Sequence, residues 1–267
     1  MTRIPPLFER LKQENRSGLI AYITAGDPCP ERTPSLIAAL EEGGVDMVEL
    51  GVPFSDPVAD GPVIQRASQR ALRAGTSLAR VLDIAAEVRR RSSIPIVLFT
   101  YLNPVLRYGI EKLGRDAVER GIDGCLLTDL SVDEAASQIE TMRRFDLDTI
   151  FLAAPTSSAK RCKLIAEHST GFVYLVSRTG VTGEKDSVSS TVAPLVASMR
   201  ALTSLPLAVG FGISKPEHAA EVGAIADAVI IGSAFMRTIE QHRDDALEQR
   251  LTVQARGFRD ALFRRTA

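Results

Sequence analysis

The chain carries almost no excess of either charge: 32 lysines and arginines stand against 33 aspartates and glutamates in 267 residues, a formal net charge of −1. Without a field of one sign there is no basis for gripping a nucleic-acid backbone or an anionic membrane, and a small-molecule substrate is favoured. Long apolar runs are missing too. No stretch approaches the roughly 18 consecutive apolar residues of a membrane-spanning helix, and Met1 to Asn15 alternates charged with apolar residues where a signal peptide needs an unbroken apolar core. A soluble, cytoplasmic protein is expected. Cysteine is scarce: Cys29, Cys125 and Cys162 are odd in number, far apart and without a C-x-x-C pair, which fits neither a disulfide framework nor a zinc site. They read as ordinary reduced thiols. His168, His218 and His242 lie in polar, helix-like contexts with no serine or cysteine elbow beside them and read as non-catalytic. No Pro/Ser-rich linker, repeat or low-complexity stretch divides residues 1–267, so a single domain is expected.

What the chain does have is alternation. Short β-branched runs recur at Leu19–Thr24, Asp46–Leu50, Pro95–Thr100, Gly124–Thr128, Thr149–Leu152, Phe172–Val176, Pro206–Val209 and Ala228–Ile231, each followed by helical spacing. Eight such units predict parallel strands with crossover helices, closed into a (β/α)₈ TIM barrel. A doubly wound open sheet is the structural alternative. It usually carries a G-x-G-x-x-G turn after its first strand, and here that place reads Thr24-Ala25-Gly26-Asp27-Pro28. Ser131-Val132-Asp133-Glu134 and Ser214-Lys215-Pro216-Glu217 read as capping boxes that start helices directly after strands. Additional helices are expected at the N-terminus, after strand two around Ile64–Ala74, and at the C-terminus from Asp244 to Arg265.

A barrel places its active site in the loops at the C-terminal ends of the strands. There, strand seven runs into Gly210-Phe211-Gly212-Ile213-Ser214 and strand eight into Gly232-Ser233, small residues at helix N-termini whose free N–H groups suit a phosphate. Either glycine turn alone could be a mere tight βα turn; two at adjacent strand ends favour a phosphorylated substrate. After strand six, Ser177 to Asp186 is a long polar loop able to swing over the site, with Gly183 placed to add an N–H when closed. In Met47-Val48-Glu49-Leu50-Gly51, strand alternation sets Glu49 opposite Val48 and Leu50, so it points into the barrel if those face the helices. A buried carboxyl group is expensive unless paired or functional, and desolvation raises its pKa toward the range of proton transfer. The following loop, rigidified by Pro53, Pro57 and Pro62, offers Asp56 and Asp60, either of which could be a turn residue or a second catalytic carboxylate. Carboxylates near a phosphate site, without a His or Cys cluster, point to acid/base chemistry and to no metal. These features do not name the substrate.

The run from Val48-Glu49-Leu50-Gly51-Val52-Pro53-Phe54-Ser55-Asp56-Pro57 through Val58-Ala59-Asp60-Gly61-Pro62-Val63-Ile64-Gln65 closely resembles the signature of tryptophan synthase alpha subunits. Further matches are Tyr22–Pro28, Thr100–Val105, Ala154–Ser157, Ser177–Gly183 and Gly210–Ser214, so the resemblance spans essentially the whole chain. It implies cleavage of indole-3-glycerol phosphate to indole and glyceraldehyde 3-phosphate, with indole passed to a beta subunit in an α₂β₂ complex. It implies Glu49 and Asp60 as the catalytic pair, with Tyr174 near the reacting end. It places Gly183, Gly212, Gly232 and Ser233 around the phosphate, Tyr22 and Ile64 around the indole ring, and Thr182 on a lid that closes toward Asp60. No cofactor is implied in this chain; pyridoxal phosphate belongs to the beta partner, and no lysine context here independently argues for a Schiff base. Departures are modest: Tyr22 stands where many relatives have phenylalanine, Thr179 where alanine or serine is common, and Ser131 where proline often follows Asp129-Leu130. A stand-alone lyase releasing free indole would keep the same motifs. An idle activating subunit fits poorly with both Glu49 and Asp60 present, and another phosphate-handling barrel, such as an isomerase, fits the glycine turns but not the long signature.

Overall fold

The structure, a computed structural model, describes residues 2–176, 191–210 and 212–263. Its strands are β1 (Gly18–Thr24), β2 (Met47–Gly51), β3 (Ile96–Thr100), β4 (Gly124–Leu127), β5 (Asp148–Ile150), β6 (Leu152–Ala153), β7 (Val173–Val176), β8 (Leu207–Gly210) and β9 (Ala228–Ile231). Every pairing between these strands is parallel, and β1 lies between β2 and β9. The sheet order begins at β5 and ends at β6, which are consecutive in the chain. The expected fifth strand is therefore one segment in two parts: Asp148–Ile150 pairs with β4, Leu152–Ala153 pairs with β7, and the Phe151 carbonyl between them accepts the Tyr174 N–H at 3.1 Å. That segment closes the barrel at its eight strand positions.

Strands enclosed between a barrel interior and a helical layer bury both faces, which is why they read as continuous apolar runs. All seven residues of β1 and all five of β2 are buried. The expected additional helices are Ile4–Gln13, Pro62–Arg73 and Leu247–Ala261. A further short helix, Leu102–Tyr108, follows β3; the Asp129 carboxylate from the next strand's loop accepts its first N–H, from Leu102, at 2.7 Å. Neither expected capping box is made. Residues 131–134 close a turn of their own, Glu134 N–H to Ser131 O at 3.0 Å, and the helix begins later at Ala136. Pro216 takes the first helical position of Pro216–Gly223, which makes Lys215 the N-cap and leaves Ser214 one residue too early.

The N-terminal end of the barrel is sealed. Helix Ile4–Gln13 buries Ile4, Leu7, Phe8 and Leu11, the spacing of one helical face, and Phe8 packs on Phe172 with ring centroids 6.1 Å apart. Three aspartates repeat one device there: Asp46 accepts the Leu19 N–H at 2.9 Å, Asp123 that of Ile96 at 2.8 Å, and Asp227 that of Leu207 at 2.8 Å. Each satisfies an N–H at the start of the neighbouring strand. Asp46 also takes both terminal nitrogens of buried Arg16, at 2.7 and 2.7 Å. Removing one partner of a buried ion pair costs about 3–5 kcal/mol. Arg16→Ala should lose that order of stability in urea unfolding, whereas a loss below about 1 kcal/mol, the scale of an exposed pair, would show that this end of the barrel does not depend on it.

Candidate active site

With one end plugged, the pocket opens at the other, where β2 delivers Glu49 in register with Tyr22 of β1. Glu49 is fully buried, and neither carboxyl oxygen has a hydrogen-bond partner among the described residues. Burial alone pushes its pKa up to about 8, so near neutral pH the group is held protonated.

The loop after β2 treats its two aspartates differently. Asp56 is exposed and accepts a hydrogen bond from the adjacent Ser55 hydroxyl at 2.6 Å. Asp60 is 5% exposed, its backbone N–H bonded to Pro57 O at 3.0 Å and its carbonyl accepting from Gln65 Nε2 at 2.8 Å. The Tyr101 hydroxyl donates to Asp60 Oδ2 at 3.0 Å and accepts the Ala59 N–H at 3.1 Å. Burial raises the Asp60 pKa, the phenol's hydrogen bond pulls it back, and the balance lies at about 6. Two carboxyl groups within one pocket are thus set on opposite sides of neutrality, one held neutral and the other mostly ionised.

Tyr22, Ile64, Phe99 and Ile230 form the apolar wall beside these carboxyl groups, with Tyr22 and Phe99 edge to face at 5.0 Å. Buried Tyr174 lines the same pocket, and Gly212, Ile213, Gly232 and Ser233 complete its lining. Gly212 has φ +81°, a backbone that favours glycine. A side chain at Gly232 would meet the Tyr22 Cβ at 3.3 Å, so this turn sits tightly on the apolar wall. Gly232 is the N-cap of helix Ser233–Gln241, whose first N–H groups have no partner within the helix and can receive an anion.

Eight of the ten residues singled out from the sequence therefore line one pocket: Tyr22, Glu49, Asp60, Ile64, Tyr174, Gly212, Gly232 and Ser233. Thr182 and Gly183 lie outside the described residues, as does the rest of the loop from Ser177 to Asp186. Sequence reasoning gave no role to Phe99, Ile213, Ile230 or Tyr101. Phe99 and Tyr101 bracket the C-terminal end of β3, where the barrel rule directs attention, and that was the available signal. A larger groove of about 670 Å³ runs between helices Thr33–Glu42, Leu78–Arg89 and Leu247–Ala261, but its carboxylates are exposed or half-buried. Among the described residues no three His, Cys, Asp or Glu side chains gather as a metal site, and no helix is long and apolar enough to cross a membrane. Cys125 and Cys162 are buried free thiols; Cys29 is half-buried.

Two desolvated carboxyl groups of unequal acidity at the strand ends of a (β/α)₈ barrel, facing a helix N-terminus, define an enzyme of the acid/base barrel class. Residues 8–262 match the family model described as "Tryptophan synthase alpha chain". The tryptophan synthase alpha chain of Solibacter usitatus is 62% identical over 264 residues, covering 99% of this chain and 98% of that one. A structure of Mycobacterium tuberculosis tryptophan synthase superposes with a TM-score of 0.91 at 35% identity, covering 98% of both chains. Tryptophan synthase subunit alpha from Legionella pneumophila gives 0.87 at 38%, again with 98% coverage of both. The chain belongs to the tryptophan synthase alpha chain family.

Loss of the Tyr101 hydroxyl removes the interaction that favours ionised Asp60. In Tyr101→Phe, the Asp60 carboxyl followed by carbon NMR should titrate above about 6; a midpoint unchanged from the parent would assign the hydrogen bond no electrostatic role.

Proposed function

We propose that Glu49 and Asp60 carry the reaction of the alpha-chain family, the lyase cleavage of indole-3-glycerol phosphate, in the pocket described above. The observation that supports this assignment is the partnerless, protonated Glu49 beside a second carboxyl group that is mostly ionised at neutral pH.

Cleavage breaks the bond between indole C3 and the carbinol carbon of the side chain. Protonated Glu49 gives its proton to C3, and the ring becomes an iminium whose positive charge lies on nitrogen. Glu49, now ionised, takes the proton of the adjacent hydroxyl. The O–H electrons form the aldehyde carbonyl, the C–C pair returns to the ring, and indole and glyceraldehyde 3-phosphate separate. Glu49 ends as it began, protonated, so one group completes the cycle and no net proton is consumed. Ionised Asp60 accepts a hydrogen bond from the indole N–H and stabilises the charge as it develops. Tyr22 and Ile64 enclose the ring, Tyr174 lies near the reacting end, and the phosphate is taken by Gly212, Gly232 and Ser233. These steps draw on no cofactor in this chain.

The same reading makes the chain a cytoplasmic subunit that hands indole to a beta subunit in an α₂β₂ complex, the pyridoxal phosphate being the partner's. Apolar groups stand out on the pocket's side of the barrel in support of that contact: Val58, on the loop that carries Asp60, is 75% exposed, and Leu106 is 57% exposed.

Three outcomes are expected. The purified chain should release indole slowly from indole-3-glycerol phosphate and be strongly stimulated by a beta subunit; high activity without response would indicate a stand-alone lyase, and no activity in either condition would end the lyase assignment. Glu49→Gln keeps the shape but cannot carry a proton and should lower single-turnover cleavage by about 10²–10⁴-fold, while near-normal turnover would exclude the shuttle. Cleavage needs Asp60 ionised and Glu49 protonated, so kcat/KM should fall below about pH 6 and again above about pH 8; a rate still climbing at pH 9 would contradict a protonated resting Glu49.

A further inference from the structure

Behind the pocket, outside its lining, four charged side chains join three of the elements that form its walls. Arg70, on helix Pro62–Arg73, grips Asp27 through two parallel bonds, Nε to Oδ1 at 2.8 Å and Nη2 to Oδ2 at 2.7 Å. Its remaining Nη1 donates to Glu240 Oε1 at 2.8 Å. Glu240, on helix Ser233–Gln241, also takes a forked pair from Arg66, at 2.7 and 2.7 Å. The Asp27 side chain is 1% exposed and that of Arg70 16%, so the central pair is withdrawn from water. A forked guanidinium–carboxylate pair fixes angle as well as distance, which a lysine in the same place does not.

Each arm of this network ends on a different wall. Asp27 lies in the turn directly after β1, the strand of Tyr22. Helix Pro62–Arg73 carries Ile64 in its first turn and is tied through Gln65 to the Asp60 backbone. Helix Ser233–Gln241 begins at the Gly232–Ser233 turn. We propose that the Asp27–Arg70–Glu240–Arg66 network sets the span between the ring-binding wall and the phosphate-binding turn, with Arg70 as its positioning residue for the cleavage. This rests on the assignment of indole-3-glycerol phosphate as substrate. A substrate that touches both ends gains from both contacts only when their separation matches its length; a ligand that touches one end is indifferent to that separation.

Arg70→Lys keeps the charge and loses the fork. Separate affinities for indole and glycerol 3-phosphate, measured where circular dichroism shows the protein folded, should stay within about twofold of the parent, while kcat/KM for the joined substrate falls at least about tenfold. Glu240→Gln spares the Asp27–Arg70 pair and loosens only the arm to the phosphate helix. It should lose about three- to tenfold with the same fragment affinities, and it decides the matter if Arg70→Lys does not fold. A kcat/KM within about twofold of the parent in the folded variants, or fragment affinities that weaken in parallel with the substrate, would overturn the positioning role. A parent chain that does not cleave the substrate overturns the functional assignment and this one with it; a parent that cleaves beside equally active variants overturns the positioning alone.

Discussion

An ionised carboxyl group buried without a hydrogen-bond donor is strongly disfavoured, and Glu49 meets that constraint by keeping its proton to about pH 8. The linkage has a cost. Between the ordinary carboxyl value of 4.5 and about 8 the folded chain binds a proton that the unfolded chain releases, so stability declines as pH rises through that window. The surrounding architecture maintains the dry site despite this. Parallel strands buried on both faces wall it in, and the segment Asp148–Ala153 closes the ring by pairing to one side with its first half and to the other with its second. At the opposite end, helix Ile4–Gln13 and the aspartates that receive strand N–H groups complete the seal.

Asp60 answers a different requirement from the same pocket. It is also withdrawn from water, but Tyr101 supplies a donor and the three-proline loop fixes where it points, so its acidity is restrained to about 6. Burial without a partner makes an acid; burial with one makes an acceptor. The phenol that separates the two cases comes from the end of β3, and its ring rests against Phe54 at 5.2 Å. Neighbouring strand ends thus place groups remote in sequence at one reaction centre, which is the use a barrel makes of its loops.

The barrel was legible because its strands are apolar on both faces and each is followed by a helix-period segment, a pattern set by backbone burial and little else. All eight strand positions were found within a few residues, although the break at Phe151 was not, since two short half-strands look like one run until their neighbours are known. Caps were less legible: Ser131 and Ser214 have the right chemistry, but a separate turn and the position of Pro216 displace both helix starts. Glu49 was readable from strand alternation alone. Asp56 and Asp60 were not separable, because exposure and the Tyr101 hydrogen bond decide between them and both are tertiary facts. The Arg70 network was invisible for the same reason: Asp27, Arg70 and Glu240 belong to three elements spread over most of the chain, and nothing local marks them as partners.

The claim on which the rest turns is the protonation of Glu49 at neutral pH. Difference infrared spectroscopy between the chain and Glu49→Gln isolates the carboxyl C=O stretch of this one side chain. A protonated-carboxyl band present at pH 7 and lost with a midpoint near 8 is the expected result. A band absent at pH 7 and appearing only below about pH 5, the range of an ordinary glutamate, would contradict the desolvated acid and the proton cycle built on it.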